Sequence, residues 1–144
     1  RENRDTHTNN LFFRLGVNNL GKRRIEEADM RVEKIEKINR QGVRERVPSS
    51  PFFLHWANEN TDNSRSIYKD TPVFVDFLYT DESKHGMAFF FFKHKHSQSG
   101  IKEFLTPGKW AITVKLLGND IDPVKKEVHV DFNGKWEQLK MELV

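Results

Sequence analysis

Three groups of residues in this chain could do chemistry: paired histidines, a carboxylate among apolar neighbours, and aromatics interleaved with amides. His94 and His96 stand two apart, so on a strand both imidazoles point to one side. A third ligand, His129 or His85, would complete a three-histidine zinc site of the kind that hydrolases use. Lys93 and Lys95 flank the pair, and their charges oppose a dication. The favoured reading leaves both histidines on the solvated end of a strand, with no metal and no cofactor. Nucleophilic catalysis has less support still. The chain has no Cys, no Gly-x-Ser-x-Gly elbow, no Gly-x-Gly-x-x-Gly, no Walker loop and no His-Glu-x-x-His. Ser, His and Asp are plentiful, but a triad is recognised by geometry and not by abundance. Asp120 and Asp122 offer only two carboxylates on one turn, short of a calcium loop. No catalytic residue is assigned, and the chain is expected not to be an enzyme.

Two further candidates concern binding. Asp76 sits between Val75 and Phe77 in a strand-patterned stretch, on the side of Phe74 and Leu78. If that side is buried, its carboxylate needs a donor such as an Arg or Lys from the adjacent strand; a solvent-facing Asp76 is the favoured reading. The richer candidate is the stretch holding His55, Trp56, Asn58, Asn60, Arg65 and Tyr68, with Asn63 among them. Flat rings beside amide donors can hold a sugar, a nucleotide or a peptide. The plainer reading makes Trp56 a buried anchor under a mobile polar loop, and it is favoured.

The elements that must position these residues follow from composition and pattern. The chain has 144 residues, 36% of them apolar and 31% charged, and twelve are Phe. That length can bury a core, and so many aromatics argue against a disordered polyelectrolyte. Mean hydropathy is −0.74, which implies a well-solvated surface. Net charge is +3, from 24 basic and 21 acidic residues. Basic clusters occur at Lys22-Arg23-Arg24, at Arg44 and Arg46, and from Lys93 to His96; the first two have acids close by. The mixed signs predict a solvated surface and no nucleic-acid partner. The absence of Cys excludes a disulfide framework without fixing the compartment. No apolar run approaches the ~18 residues of a membrane helix. The chain opens on Arg1 and not on Met, as expected of a piece of something longer.

Residues 1–10 are polar and are expected to form a linker or frayed start. Leu11, Phe13, Leu15 and Val17 alternate as a half-buried strand, and Asn18 to Gly21 is turn chemistry. Ile25, Ala28, Val32 and Ile35 fall at the spacing of an amphipathic helix, while Ala28, Met30 and Val32 alternate as a strand. The β context predicts an extended chain over residues 28–38. Val43 to Val47 suggests a charged edge strand, Phe52 to Trp56 an apolar one, and Ala57 to Thr71 a long polar loop. Val73, Val75, Phe77 and Tyr79 are expected on one strand face. Met87 to Phe92 is apolar at every position, which predicts the main packing hub, any surplus surface there marking an interface. Trp110 to Leu116 alternates, and so does Val128 to Phe132, which leads into the hairpin signal Asn133-Gly134 and a return through Leu139, Met141 and Leu143. Eight or nine short strands make an antiparallel sandwich or barrel, with residues 11–144 as a single domain.

Three stretches resemble a known group. Asn19-Leu-Gly-Lys followed by Ala28 resembles the turn between the first two strands of many bacterial and archaeal immunoglobulin-like domains. Leu105-Thr-Pro-Gly-Lys-Trp-Ala-Ile-Thr-Val resembles their entry into a late strand. Asp131-Phe-Asn-Gly-Lys-Trp, with His55-Trp-Ala-Asn, resembles the uncharacterised sandwich domains found behind transmembrane helices in prokaryotic proteins. The resemblance implies an all-β, immunoglobulin-like antiparallel sandwich with no established catalytic residues. It also implies the soluble part of a larger membrane-tethered protein, the cytoplasmic side being slightly preferred. The expected function is a non-catalytic binding or interaction module whose partner is another protein or domain. A small-molecule sensor for a nucleotide or sugar is the alternative, and a metal-dependent hydrolase the second alternative.

Overall fold

The stretch with both helix and strand patterns is strand throughout. In the computed structural model, which describes residues 2–5, 10–59, 61–93 and 100–144, Ile25–Ile38 is one 14-residue strand. Its helix-like spacing has a specific cause. Opposite β10 (Gly108–Asn119), Val114 pairs with Val32 and Thr113 with Lys34, leaving Glu33 as an extra residue. A second register shift lies between Asp29 and Glu26, where Glu27 takes a left-handed backbone (φ 55°). Each bulge lengthens the inward spacing from two residues to three. Ala28, Met30, Val32 and Ile35 therefore all face the core.

That strand is β3 of twelve among the described residues, more than the eight or nine expected. The others are β1 (Glu2–Asp5), β2 (Asn10–Val17), β4 (Arg44–Arg46), β5 (Phe52–Phe53), β6 (Arg65–Ile67), β7 (Val73–Asp81), β8 (Ala88–Phe90), β9 (Phe104–Leu105), β10, β11 (Val124–Phe132) and β12 (Lys140–Leu143). They form two sheets, in the orders β1-β2-β7-β8-β9 and β12-β11-β10-β3-β4, with β5 and β6 also paired to β3. The pairings between strands are antiparallel. The fold is an antiparallel β-sandwich. Glu2–Asp5, expected within a linker, pairs as an edge strand with Asn10–Phe13.

Inward side chains of both sheets fill the space between them, among them Leu11, Phe13 and Phe77 from one and Ile35, Ile112 and Val130 from the other. Along one margin the sheets are also joined by backbone. Leu54 N–H donates to Met30 O (2.8 Å) in the larger sheet, while His55 N–H donates to Phe91 O (3.2 Å) and Ala57 N–H to Phe74 O (2.8 Å) in the smaller. Residues 52–57 thus satisfy backbone groups of both sheets at once. Phe52 inserts beside Phe90, edge to face at 5.2 Å.

Three expectations need correction. Val73, Val75 and Phe77 share a face, but Tyr79 does not, because Phe77 is the extra residue of a bulge opposite Phe13 and Arg14. Past it the parity inverts, so Leu78 points inward and Tyr79 outward. Met87 to Phe92 is not the main hub. β8 is three residues long, with Ala88 and Phe90 buried and Phe89, Phe91 and Phe92 half-buried. The central role belongs to β10, which is buried at five consecutive positions, Trp110 to Val114, and is paired on both edges. Finally, Asn133-Gly134 does not close a two-residue hairpin. The chain continues through a 3₁₀ turn at Trp136–Gln138, Trp136 packing against the core, before β12 begins.

Candidate functional site

The polar residues from His55 to Tyr68 are positioned by the strand crossing. Trp56 points inward and is fully buried, its indole N–H donating to Ala28 O (3.0 Å). It anchors the crossing and presents no face to a ligand. His55 points outward, its Nε2 3.9 Å from an Asp62 oxygen and its Nδ1 3.9 Å from an Asp76 oxygen. Asp76 is half-buried, and Arg14 of β2 donates to its carboxylate at 2.8 Å. The partner foreseen for a buried Asp76 is therefore present on the adjacent strand. Arg14, Asp76, His55 and Asp62 form one row of alternating charge when His55 carries its proton.

Beside this row lies a second, tighter cluster. Lys93 is only 1% exposed, and its ammonium is ion-paired with Asp29 of β3 and hydrogen-bonded to Asn63 O (3.3 Å). Ser64 Oγ donates to the other Asp29 oxygen. The Lys93 expected at a solvated strand end is a buried cation, neutralised as burial requires. This pair, with β6 against β3, fastens the polar 57–71 stretch to the sandwich.

The remaining sequence candidates do not converge. Asn58 is exposed in a left-handed conformation (φ 64°). Arg65 lies over the Trp56 ring at 5.9 Å and pairs with Glu59 at 3.3 Å. Tyr68 is 52% exposed at the far end of β6, 6.0 Å from the Arg24 guanidinium. Asn60 lies outside the described residues, as do His94 and His96. His129 is engaged with Glu127, and His85 is exposed in a left-handed conformation after a 3₁₀ turn. Among the described residues no three His, Asp or Glu are grouped to hold a metal.

The outer faces of the two sheets differ. On the larger, Arg44 and His129 both hydrogen-bond Glu127 and hold its carboxyl down to about 2 from its ordinary 4.5. Glu33, Lys34, Arg46, Lys125 and Lys126 line an open polar groove there. On the smaller, beyond the outward Arg14–Asp76 pair, a row of outward residues is aromatic. Tyr79 lies 5.8 Å from Phe89 and 4.7 Å from Phe91, and Phe89 lies 5.6 Å from Phe104. Phe12 is the register partner of Tyr79 on β2 and extends the row. Lys84 lies 5.5 Å over both the Tyr79 and Phe89 rings, and Lys102 lies 5.0 Å over Phe104. Periodicity alone missed this surface because the β7 bulge moved Tyr79 onto it. The run of four Phe was its visible signal.

No protein-family model matches the chain, and no curated protein or solved structure is significantly similar to it.

Proposed function

We propose that the chain is a non-catalytic interaction module that binds another protein through the aromatic outer face of its smaller sheet. The observation carrying this reading is the row Phe12, Tyr79, Phe89, Phe91 and Phe104 on the side of an antiparallel sheet where polar residues are the norm. Contiguous outward aromatics mark interaction surfaces, since their rings supply large contact area at little entropic cost. Lys84 and Lys102 frame the rings, so the complementary partner surface is acidic as well as apolar.

The pairings also support an immunoglobulin-like assignment. β2 pairs with β7 in one sheet while β4, β3, β10 and β11 are neighbours in the other, the arrangement of strands B and E against C′, C, F and G. Membership in a longer, membrane-attached protein rests on the sequence motifs quoted above. Selection of a random phage-displayed peptide library on the purified chain tests the binding face. Acidic peptides rich in aromatic or aliphatic residues are expected, and their binding should be lost in Phe89→Ser and in Lys84→Glu. Selected peptides without acids, or indifferent to both variants, overturn the proposal.

A further inference from the structure

The opposite end of the sandwich carries a separate site. We infer that the β2–β3 turn borders a binding site for a free single-chain anionic amphiphile, an alkyl chain ending in a carboxylate or phosphate. Between the sheets at this end lies a cleft of about 380 Å³, within the ~300–1,000 Å³ of small-molecule pockets. Its floor is apolar, formed by the buried side chains of Met30, Val114 and Leu116. Its rim is apolar too: Leu20, Val124 and Leu143 are 79%, 47% and 58% exposed. Single exposed apolar residues are ordinary, but three around one apolar opening form a patch.

Charge complementarity identifies the occupant. A polar groove of about 570 Å³ adjoins the cleft, sharing Asn19, Ile25 and Ile121 with it, and is lined by Lys22, Arg23 and Arg24. Arg24 is taken by Glu26 at 2.6 Å. Among the described residues Lys22 and Arg23 form no ion pair, nor does Lys126 on the cleft's other rim. Asp120 and Asp122 also border the two spaces, and these cations outnumber them. The turn carrying Lys22 and Arg23 is held in place by Asn19, which is buried. Its amide donates to Arg23 O (2.7 Å) and Ile67 O (3.1 Å), and its carbonyl oxygen accepts from Gly21 N–H (3.0 Å). A polar anion would leave the cleft empty, and a neutral hydrocarbon would leave the cations unanswered. A molecule with both ends uses both halves. A bilayer surface cannot fill a concave cleft between two sheets, so the amphiphile enters singly.

Calorimetric titration of the chain with octanoate, decanoate and dodecanoate, each below its micelle concentration, tests the assignment. Affinity should rise about fourfold per added methylene until the cleft is full. Dodecanol should bind about tenfold more weakly than dodecanoate, the difference vanishing in the Lys22→Glu/Arg23→Glu double variant. Leu143→Asp, at an exposed rim position that folding does not require, should abolish binding. No chain-length dependence, equal affinity for alcohol and acid, or binding only to anionic vesicles overturns the inference.

Discussion

The two margins of the sandwich enclose the same gap between the same sheets, and they close it differently. At one, residues 52–57 cross between the sheets, hydrogen-bonding to both and driving Phe52 and Trp56 into the gap. The adjoining Lys93–Asp29 pair seals the outside. At the other, the β2–β3 turn passes from the smaller sheet to the larger with its apolar residue Leu20 left exposed, and apolar side chains ring an open cleft. Hydrophobic burial is non-directional, so patterning alone would have filled both margins. What separates them is whether the connecting segment drives large apolar side chains into the gap, as residues 52–57 do and the β2–β3 turn does not. The crossing serves stability, and the open margin carries the amphiphile site inferred above.

The comparison breaks most readily at the crossing. Trp56→Ala should leave a large cavity and an unpaired Ala28 carbonyl, costing ~3–5 kcal/mol in urea unfolding. A loss below about 1 kcal/mol would mean that the crossing does not hold the sheets together. Lys93→Met removes one partner of a buried pair. Because Asp29 keeps 19% of its side chain in water and its bond to Ser64, the cost should lie at or below the low end of the ~3–5 kcal/mol expected of such pairs. Adding Asp29→Leu should recover part of that loss, and a double variant worse than the sum would refute the pairing.

The inward and outward sides of the smaller sheet can be compared in the same way. Phe90→Ala should cost ~3–5 kcal/mol, and the outward Phe91→Ala less than about half of that, while weakening the proposed protein contact. Equal losses would contradict the in-and-out alternation of the Met87–Phe92 run.

Smaller effects belong to the outer face of the larger sheet and to the open margin. Glu127 ionises near 4.5 when unfolded and at about 2 when folded. Its contribution is therefore complete above pH 4.5 and is lost as pH falls towards 2. Exposure and salt limit it, so Glu127→Gln should lower stability by no more than about 1 kcal/mol at pH 7, with no difference remaining near pH 2. Leu20→Ser at the open margin should change stability by less than ~0.5 kcal/mol. A large loss there would show that the margin is structural after all.

Much of this architecture was legible in the chain. Alternation from Leu11 to Val17 and from Val128 to Phe132 specified strands with one buried face, because the two-residue period is a property of the strand itself. Trp110 to Leu116 alternates as a strand but is buried on both faces through Val114. The β context also overruled the helix-like spacing of Ile25, Ala28, Val32 and Ile35. The bulges at Glu33, Glu27 and Phe77 were not legible, since a bulge is defined by the partner strand opposite it, and that partner lies more than 60 residues away in sequence in each case. They decided which side Tyr79 faces, and with it the aromatic surface. The fate of the candidate site was tertiary for the same reason. His55 and Trp56 are adjacent in sequence, yet the crossing buries Trp56 fully and turns a half-buried His55 outward, with Arg14 and Asp76 beside it. Local pattern determined which residues are extended; only the packing of strands distant in sequence determined which side chains meet, because contacts between sheets carry no period of their own.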